Sequence, residues 1–261
     1  MAVVFDGKSF SLDKKQILRA RVDELAKQGI VPHLVSFLLG NDPASELYTR
    51  LKARFAQDVG CRFSVVTDPD IRTLLALLNQ DTTVTGIMLQ LPLPTGFQEK
   101  TNEYILALDP AKDVDGLRSD SPFLPATVRG IVEIMKEAHA KEGDSVCIIG
   151  ANGEVGRRLS RSLKNHFVVS EVDIDTKTPW EIAREARIVI SATGVPDSVD
   201  ERYIKEGAIV IDVGSPKGDV NFAKVSPIAS FITPVPGGVG PVTVSSLIEN
   251  LVDAAEALIS S

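Results

Sequence analysis

The stretch "VCIIGANGEVGRRLSRSL", residues 146–163, places a glycine-rich loop directly between an apolar strand and an amphipathic helix. Gly150, Gly153 and Gly156 allow a sharp turn and the close approach of a pyrophosphate, which the positive end of the helix attracts. The spacing is G-x-x-G-x-x-G rather than the usual G-x-G-x-x-G, so a tight turn without a ligand stays the alternative. The stretch predicts a dinucleotide-binding strand–loop–helix unit.

The end of the next strand bears on which dinucleotide is bound. In "SEVDIDTK", Asp173 and Asp175 stand 23 and 25 residues after Gly150. An acidic side chain at this place hydrogen-bonds a ribose 2′-hydroxyl and repels a 2′-phosphate, which favours NAD. Nearby cations able to hold a phosphate are Arg157, Arg158 and Lys177. All of these charges can also be read as a solvated surface, so NAD and NADP stay open at this point.

Short apolar runs alternate with helix-length segments along most of the chain. Before residue 94 the runs are "HLVSFLLG", "CRFSVVT" and "VTGIMLQLPL", and "PDIRTLLALLNQ" is a clear amphipathic helix between the last two. After residue 140 the runs are "SVCIIG", "FVVSEVDI", "RIVISAT" and "AIVIDVG". This alternation predicts an α/β fold in which helices cover both faces of parallel, doubly wound sheets.

Two loop-rich segments interrupt the alternation and predict two domains. Residues 109–128 are rich in Asp, Pro and Ser, and residues 232–244, "ITPVPGGVGPVTV", are rich in Gly and Pro. The terminal helix beyond them carries one apolar stripe, formed by Val244, Leu247, Leu251, Ala255 and Leu258. Because this stripe must be buried, we expect the helix to return to the first domain. The predicted domains are residues 1–119 with 238–261, and residues 120–237.

The composition is that of a globular protein and argues against several kinds of partner. Of the 261 residues, 44% are hydrophobic and 24% are charged, and the net charge of -7 argues against nucleic acid or an anionic membrane. The N-terminus has no signal-peptide core, and no apolar run reaches membrane-spanning length. The two cysteines suggest no disulfide framework, and the three histidines lack metal-ligand spacing. We therefore expect a cytoplasmic protein without a bound metal.

The segment "DPASELYTRLK", residues 42–52, predicts a helix with two unusual side chains on one face. Asp42 is a suitable N-cap, and Pro43 fits the first helical position. Tyr48 and Lys52 lie four residues apart, which is about one helical turn, so they point the same way. The face that they share is either solvated or part of a site.

Three further motifs are equally open between structure and function. In "GIMLQLPLP", Gln90 interrupts an apolar strand and must find partners, either as a structural link or as a ligand contact. In "KDVDG", an extended segment would point Asp113 and Asp115 the same way, and a solvated turn explains the pair equally well. "PVPGGVGP" has too many glycines and prolines for a simple linker, although a rigid domain crossing explains it.

Taken together, the motifs resemble the bifunctional methylenetetrahydrofolate dehydrogenase/methenyltetrahydrofolate cyclohydrolase family. They are "DPASELYTRLK", "QLPLP", "DPAKDVDG", "VIDVG", "GDVNF" and "ITPVPGGVGPVTV", in that order over nearly the whole chain. The resemblance implies a folate-binding N-terminal α/β domain, a Rossmann-like domain and an active-site cleft between them. It also implies a homodimer, joined through the Rossmann-like domain, in one-carbon metabolism for purine and amino-acid biosynthesis.

The resemblance also implies a role for each motif position. Tyr48 would stack on the folate, Lys52 would be the catalytic lysine with Gln90 bonded near it, and Asp115 would hold the pterin ring. The other substrate-lining positions would be Leu89, Leu91, Pro236, Gly237, Gly238, Val239 and Gly240. The dinucleotide would be bound by Gly150, Ala151, Asn152, Gly153, Val155, Gly156, Arg157, Asp173, Thr193 and Ser215, the last near the nicotinamide.

The chain departs from the family pattern in three places. Where many members read G-R-S in the glycine loop, residues 150–152 read "GAN", so the Arg and Ser associated with NADP are missing. A Ser or Arg after the next strand is replaced by the region of Asp173 and Asp175. The segment after "KDVDG" is shorter, and "PATV" stands where "PCTP" is usual. We keep NADP, the family default, as the expectation because Arg157 is able to compensate, with NAD as the alternative.

Three other functions compete with this interpretation. Another two-domain dehydrogenase, of the shikimate or amino-acid type, requires neither "QLPLP" nor the pair Tyr48 and Lys52. A catalytically silent dinucleotide sensor needs the cofactor loop but not Lys52, Gln90 and Asp115. A family member with one activity is the third, and the intact lysine favours both activities.

Overall fold

The structure is a computed structural model that describes residues 2–259 and divides into two compact units. Unit 1 consists of residues 2–11 and 127–243, and unit 2 consists of residues 12–126 and 244–259. The strands are β1 (Val3–Val4), β2 (His33–Phe37), β3 (Arg62–Val66), β4 (Gly86–Leu89), β5 (Ser145–Ile149), β6 (Val168–Val172), β7 (Ile188–Ser191), β8 (Ile209–Asp212) and β9 (Phe231–Ile232). The helices are α1 (Gly7–Lys27), α2 (Pro43–Asp58), α3 (Ile71–Gln80), α4 (Thr101–Ala107), α5 (Ala126–Glu137), α6 (Glu154–Leu163), α7 (Pro179–Ala183), α8 (Phe222–Val225) and α9 (Val239–Ala257). Short 3-10 helices span Gln98–Lys100, Pro110–Lys112 and Glu201–Tyr203.

Unit 1 is built on a six-stranded parallel sheet in the order β1-β9-β8-β7-β5-β6. Successive side chains of its wholly buried strands point to opposite faces. Val146 and Ile148 therefore pack in one core with α5 and α6, while Cys147 and Ile149 pack in another with α7. Two helical layers thus cover this Rossmann-like sheet, as the alternation of strands and helices predicts.

Unit 2 has a three-stranded parallel sheet in the order β3-β2-β4. Leu34 and Met88 face a core that contains α1, α2 and α9, whereas Val35 and Ile87 face a second core with α3 and α4. The terminal helix therefore returns to the first half of the chain, as predicted. Four of its five stripe positions are buried in the first core, but Leu258 is 60% exposed and lies beyond the end of α9.

All seven predicted strands are confirmed, and two short ones were missed. Strands β1 and β9 have two residues each, too few for an alternating pattern to be read. They pair with each other, Val3 opposite Phe231, so residues 2–11 join unit 1 rather than the predicted first domain. The chain crosses between the units after residues 11, 126 and 243, and the last two crossings lie later than the predicted 119 and 237.

Within residues 2–259, the helices are all too short or too polar to cross a membrane.

Candidate active site

Lys52 lies on the inner face of α2, where burial makes its charge unfavourable. Helix α2 begins as predicted, because Asp42 accepts a hydrogen bond from the amide of Ser45 at 2.8 Å and Pro43 occupies the first turn. The Lys52 side chain is 8% exposed. Burial lowers the pKa of its ammonium group, and the negative charge of Asp115 opposes this shift only in part. A lysine with a lowered pKa is able to accept a proton at lower pH than an exposed one.

Gln90 is the hydrogen-bond partner of Lys52 and follows directly after strand β4. Its Oε1 accepts from the Lys52 Nζ at 3.0 Å, and its Nε2 donates to the carbonyl oxygen of Leu91 at 3.0 Å. Its main-chain N–H donates to the carbonyl of Phe37 at 2.9 Å, which continues the sheet. Because the partner is a neutral amide, it satisfies one donor of the amine without the charge stabilisation that a carboxylate gives.

The two aspartates of "KDVDG" lie in a turn, not in an extended segment, and their surroundings differ. Asp113 is fully buried, and its carboxylate oxygens accept from the amides of Leu117 at 3.1 Å and Arg118 at 2.7 Å. Asp115 is half-buried, and its charge acts on Lys52. Asp113 therefore shapes the loop, whereas Asp115 acts on the site through its charge.

Asn250 on α9 fixes this loop and was missed by the sequence analysis. Its Nδ2 donates to the carbonyl oxygens of Val114 at 2.8 Å and Leu124 at 2.9 Å, one on each side of the turn. At Gly116, φ is +64° and an added β-carbon would lie 2.6 Å from the nitrogen of Pro125, so only glycine fits. The sequence signal was the position of Asn250, three residues after Leu247 and beside Leu251 of the apolar stripe, because a buried amide needs partners.

The structure thus brings Lys52, Gln90 and Asp115 together, with half-buried Tyr48 one turn away on α2. Leu89, one of the predicted substrate-lining residues, is 1% exposed and packs in the core with α3 and α4. Leu91 is half-buried against the same core. Only the main chain of Leu89 is therefore available to a substrate.

In unit 1 the glycine loop joins β5 to α6 at the point where the strand order reverses. Strand β5 pairs with β6 on one side and β7 on the other, and ligands bind in the crevice at such switch points. Gly150 has φ of +85°, and a β-carbon there would lie 2.5 Å from the carbonyl oxygen of Ala192; one at Gly156 would overlap the carbonyl of Gly150. Gly153 is the N-cap of α6. These features fit a cradle for a pyrophosphate.

The other predicted dinucleotide positions surround this cradle in different ways. Ala151 is buried and Val155 half-buried, while the Asn152 amide donates to the carboxylate of Asp173 at 2.7 Å. The Arg157 Nη2 lies 3.1 Å from Glu154 Oε2, so the arginine expected to hold a phosphate is ion-paired on its own helix.

Asp219 holds the loop after β7 and was not singled out from the sequence. Its Oδ2 accepts from the Ser191 hydroxyl at 3.1 Å and from the amides of Thr193 at 2.7 Å and Gly194 at 3.3 Å. Asp219 is fully buried, so these contacts fix the loop rigidly beside Gly150. The signal was an Asp within "GDVNF", which served only as a motif of the resemblance.

Asp212 at the end of β8 similarly fixes the loop that carries Ser215. Its carboxylate oxygens accept from the amides of Gly214 at 2.8 Å, Asp219 at 3.0 Å and Val220 at 2.9 Å. Burial raises the pKa of the Asp212 carboxyl, and these amide hydrogen bonds oppose the shift. Ser215 itself is exposed at the tip of the loop.

Residues 236–238 lie in the loop between β9 and α9, and residues 239–240 begin α9. The Gly238 amide donates to the carbonyl of Pro234 at 2.9 Å, and Gly238 and Val239 are buried. A β-carbon at Gly7 would lie 2.7 Å from the carbonyl oxygen of Gly237, so the loop packs closely on the start of α1. Pro236 is exposed, and Gly237 and Gly240 are half-buried.

Among residues 2–259, no group of three or more His, Cys, Asp or Glu side chains is arranged to hold a metal ion.

Comparison with known proteins gives matches along nearly the whole chain. The catalytic domain of tetrahydrofolate dehydrogenase/cyclohydrolase matches residues 5–115, and its NAD(P)-binding domain matches residues 125–259. The bifunctional protein FolD of Halalkalibacterium halodurans is 37% identical over 98% of this chain and 99% of its own length. The FolD dehydrogenase/cyclohydrolase of Campylobacter jejuni superposes with a TM-score of 0.92 at 34% identity, covering 99% of this chain and 100% of its own. The Trypanosoma brucei FolD, solved with NADP and an inhibitor, superposes with a TM-score of 0.92 at 29% identity, covering 100% of this chain and 99% of its own.

Proposed function

Because the chain belongs to the tetrahydrofolate dehydrogenase/cyclohydrolase family, we propose that it catalyses two successive reactions on a one-carbon folate. The first is the NAD(P)-dependent oxidation of methylenetetrahydrofolate to methenyltetrahydrofolate. The second is hydrolysis of the methenyl group to formyltetrahydrofolate. The observation that carries the proposal is the hydrogen bond between the buried Lys52 and Gln90, one helical turn from Tyr48.

The first reaction chiefly requires that two rings be held face to face. When bound, the nicotinamide accepts a hydride from the methylene carbon that bridges two nitrogens of the folate. The lone pair of the adjacent nitrogen stabilises the resulting cation, so the protein supplies position rather than a strong acid. Tyr48 is the stacking platform for the folate, Asp115 accepts hydrogen bonds from the pterin, and the loop of Gly150 to Gly156 holds the pyrophosphate.

The second reaction requires proton transfers, which Lys52 supplies. Water adds through its oxygen to the methenyl carbon, and the neutral amine of Lys52 takes a proton from that water. The bond from this carbon to one flanking nitrogen then breaks, the nitrogen takes up a proton, and the hydroxyl of the adduct loses one to leave a formyl group. A buried amine with a lowered pKa exists in both protonation states nearer to neutral pH, and Gln90 orients its Nζ.

A paired spectroscopic assay tests this proposal. Purified protein is given methylenetetrahydrofolate with NAD or NADP, and reduced cofactor and methenyl absorbance are followed together. Reduction without accumulation of methenyl, beyond a no-enzyme control, is expected if both reactions run. Accumulating methenyl would leave a dehydrogenase and remove the hydrolytic role of Lys52. Failure to reduce either nucleotide would favour a cyclohydrolase or a dinucleotide sensor.

The remaining expectations concern the cofactor, the assembly and the compartment. The resemblance implies NADP, with NAD as the alternative that Asp173 and Asp175 favour. For the assembly and the compartment, we propose a cytoplasmic homodimer. Sedimentation equilibrium on the purified chain tests the dimer, because a monomer mass at micromolar concentration would contradict it.

A further inference from the structure

Asp173 stands at the place where a dinucleotide-binding sheet meets the adenosine ribose. It follows the last residue of β6, the strand that pairs with β5 on the side away from β7. In folds of this kind, the end of this second strand lies beside the ribose 2′ position, which is a hydroxyl in NAD and a phosphate in NADP. The group presented here therefore decides between the two cofactors.

The carboxylate of Asp173 is fixed there by two main-chain hydrogen bonds. Its Oδ2 accepts from the amide of Asn152 at 2.7 Å, and its Oδ1 accepts from the amide of Ile174 at 2.8 Å. Its own amide donates to the hydroxyl of Thr176 at 2.8 Å, which braces the turn behind it. To rotate away from an incoming phosphate, the carboxylate would have to give up its bond to the glycine loop.

A carboxylate held in this way matches a hydroxyl and opposes a phosphate. Each of its oxygens keeps a further lone pair after the main-chain bond, so both are able to accept from ribose hydroxyls. A 2′-phosphate brings about 1.5 to 2 negative charges and accepts hydrogen bonds without donating them near neutral pH. A 2′-phosphate would therefore meet a negative charge instead of a hydrogen-bond donor, and that charge moves away only if the bond to Asn152 is broken.

The arginines that would offset this repulsion have partners on their own helix. The Arg157 Nη2 lies 3.1 Å from Glu154 Oε2, and the Arg158 Nε donates to Glu154 Oε1 at 3.1 Å. Turning either toward a phosphate breaks an existing ion pair. Lys177 is exposed, and a flexible exposed ammonium offsets a fixed carboxylate weakly.

We propose that Asp173 makes the enzyme selective for NAD over NADP, in contrast to the family default. This inference rests on the proposed function only in that the glycine loop binds a dinucleotide. Asp173 acts by fixing a negative acceptor at the ribose 2′ position, while Asn152 supplies the amide that holds it there. The ion pairs of Glu154 with Arg157 and Arg158 act in the same direction.

Binding of NAD and NADP to the full chain without folate tests the inference by isothermal titration calorimetry. The wild-type protein is expected to bind NAD roughly 10- to 100-fold more tightly than NADP. Asp173→Asn keeps an oxygen acceptor for the Asn152 amide but removes the charge, and Asp173→Ser also removes the bulk. In both variants the ratio of the NADP to the NAD dissociation constant is expected to fall at least tenfold, mainly through tighter NADP binding.

Asp175→Asn is the matched control, because it removes an exposed carboxylate from the same turn, two residues after Asp173. It should leave the ratio within about twofold, since an exposed charge is screened by solvent. Wild-type binding of NADP as tight as that of NAD would overturn the inference, as would an equal effect of Asp175→Asn. Thermal melting of each variant identifies loss of the fold.

The outcomes also separate this inference from the proposed function. Selective NAD binding by a protein that does not oxidise methylenetetrahydrofolate would refute only the proposed function. Oxidation that runs with NADP, together with tight NADP binding, would refute only the selectivity. Failure to bind either nucleotide would refute both.

Discussion

Two lysines of unit 2 are almost equally buried and have different partners. Lys14 on α1 is 7% exposed and Lys52 on α2 is 8% exposed. The Lys14 Nζ lies 2.5 Å from Glu249 Oε2, whereas the Lys52 Nζ donates to the neutral amide of Gln90 at 3.0 Å. A carboxylate in contact stabilises an ammonium group, and an amide does so far less. The two lysines therefore differ in the charge of the nearest partner, and it is the pKa of Lys52 that burial lowers.

The surroundings of Lys14 identify its role as structural. Its Nζ also contacts the Ser246 hydroxyl at 3.2 Å, so it links α1 to α9. About two turns further along α1, the Arg21 Nη2 lies 2.6 Å from Asp253 Oδ1 and 2.6 Å from Glu256 Oε2. The contacts of Lys14 and Arg21 hold α9 in place, and α9 carries the Asn250 that fixes the Asp115 loop.

The largest expected effect follows from Lys52→Met, which removes the amine and keeps its apolar stem. The rate of methenyl hydrolysis is expected to fall about 10²- to 10⁴-fold, because the proton acceptor is lost. Stopped-flow decay of methenyl absorbance measures it. Hydrolysis at the wild-type rate would remove Lys52 from the mechanism.

Stability against pH provides the control for this variant. Because burial lowers the pKa of Lys52 below its ordinary 10.5, the folded protein binds fewer protons than the unfolded chain between the two values. Wild-type stability therefore rises with pH across that window, and the Met variant lacks this rise. At pH 7 the variant should be at least as stable as the wild type, with the difference shrinking toward pH 10.5.

Lys14→Met should have the opposite profile, a loss of stability with hydrolysis unchanged in the protein that stays folded, because Arg21 still holds α9 through Asp253 and Glu256. It leaves Glu249 without its ammonium partner, which for a buried pair costs about 3–5 kcal/mol. We expect the lower end, because the Glu249 side chain is 18% exposed and Arg21 Nη1 lies 3.8 Å from its Oε1. The midpoint of urea unfolding measures the loss.

The double variant Lys14→Met/Glu249→Leu distinguishes a lost ion pair from lost packing. Removing both charges should recover most of the stability, because no unpaired carboxylate is left. If the double variant is as unstable as Lys14→Met, packing rather than charge explains the loss.

The smallest expected effect comes from Gln90→Glu, which gives Lys52 the kind of partner that Lys14 has. A carboxylate oxygen in the place of Gln90 Oε1, 3.0 Å from the Lys52 Nζ, would raise the pKa of Lys52. Hydrolysis near neutral pH should then fall roughly tenfold for each unit by which this pKa rises. The pH–rate profile should move to higher pH. Gln90→Met, which removes the hydrogen bond without adding charge, should slow hydrolysis without that alkaline movement. An unmoved profile in Gln90→Glu would show that Lys52 does not titrate in the reaction.

The sequence predicts the sheets and the start of α2 well, because these depend on local patterns. Buried parallel strands read as apolar runs, and Asp42 with Pro43 marks a helix start from neighbouring residues alone. The site residues Tyr48, Lys52, Gln90 and Asp115 were assigned by resemblance, and their spacing alone left a solvated face open. Their roles stay predictions until the variants are measured.

What could not be predicted depends on partners far apart in the chain. The "KDVDG" motif does not say which aspartate is buried, because that depends on where the turn meets the sheet. Asn250 and Val114 are 136 residues apart, and their hydrogen bond has no local pattern. Likewise, the ion pair of Arg157 with Glu154 three residues earlier depends on the side-chain conformations that the helix allows, and the role of Arg157 toward a phosphate stays a prediction.

The pairing of β1 with β9 has a consequence for synthesis on the ribosome. The sheet of unit 1 is complete only after Phe231 has been synthesised and pairs with Val3. The core of unit 2 closes only after Leu251 has been synthesised and packs with Leu18 and Val22. Such distant contacts slow folding and leave apolar surface open on the nascent chain. Both halves therefore mature together at the end of translation, and a ribosome stalled near residue 230 would present two unfinished cores to the chaperones.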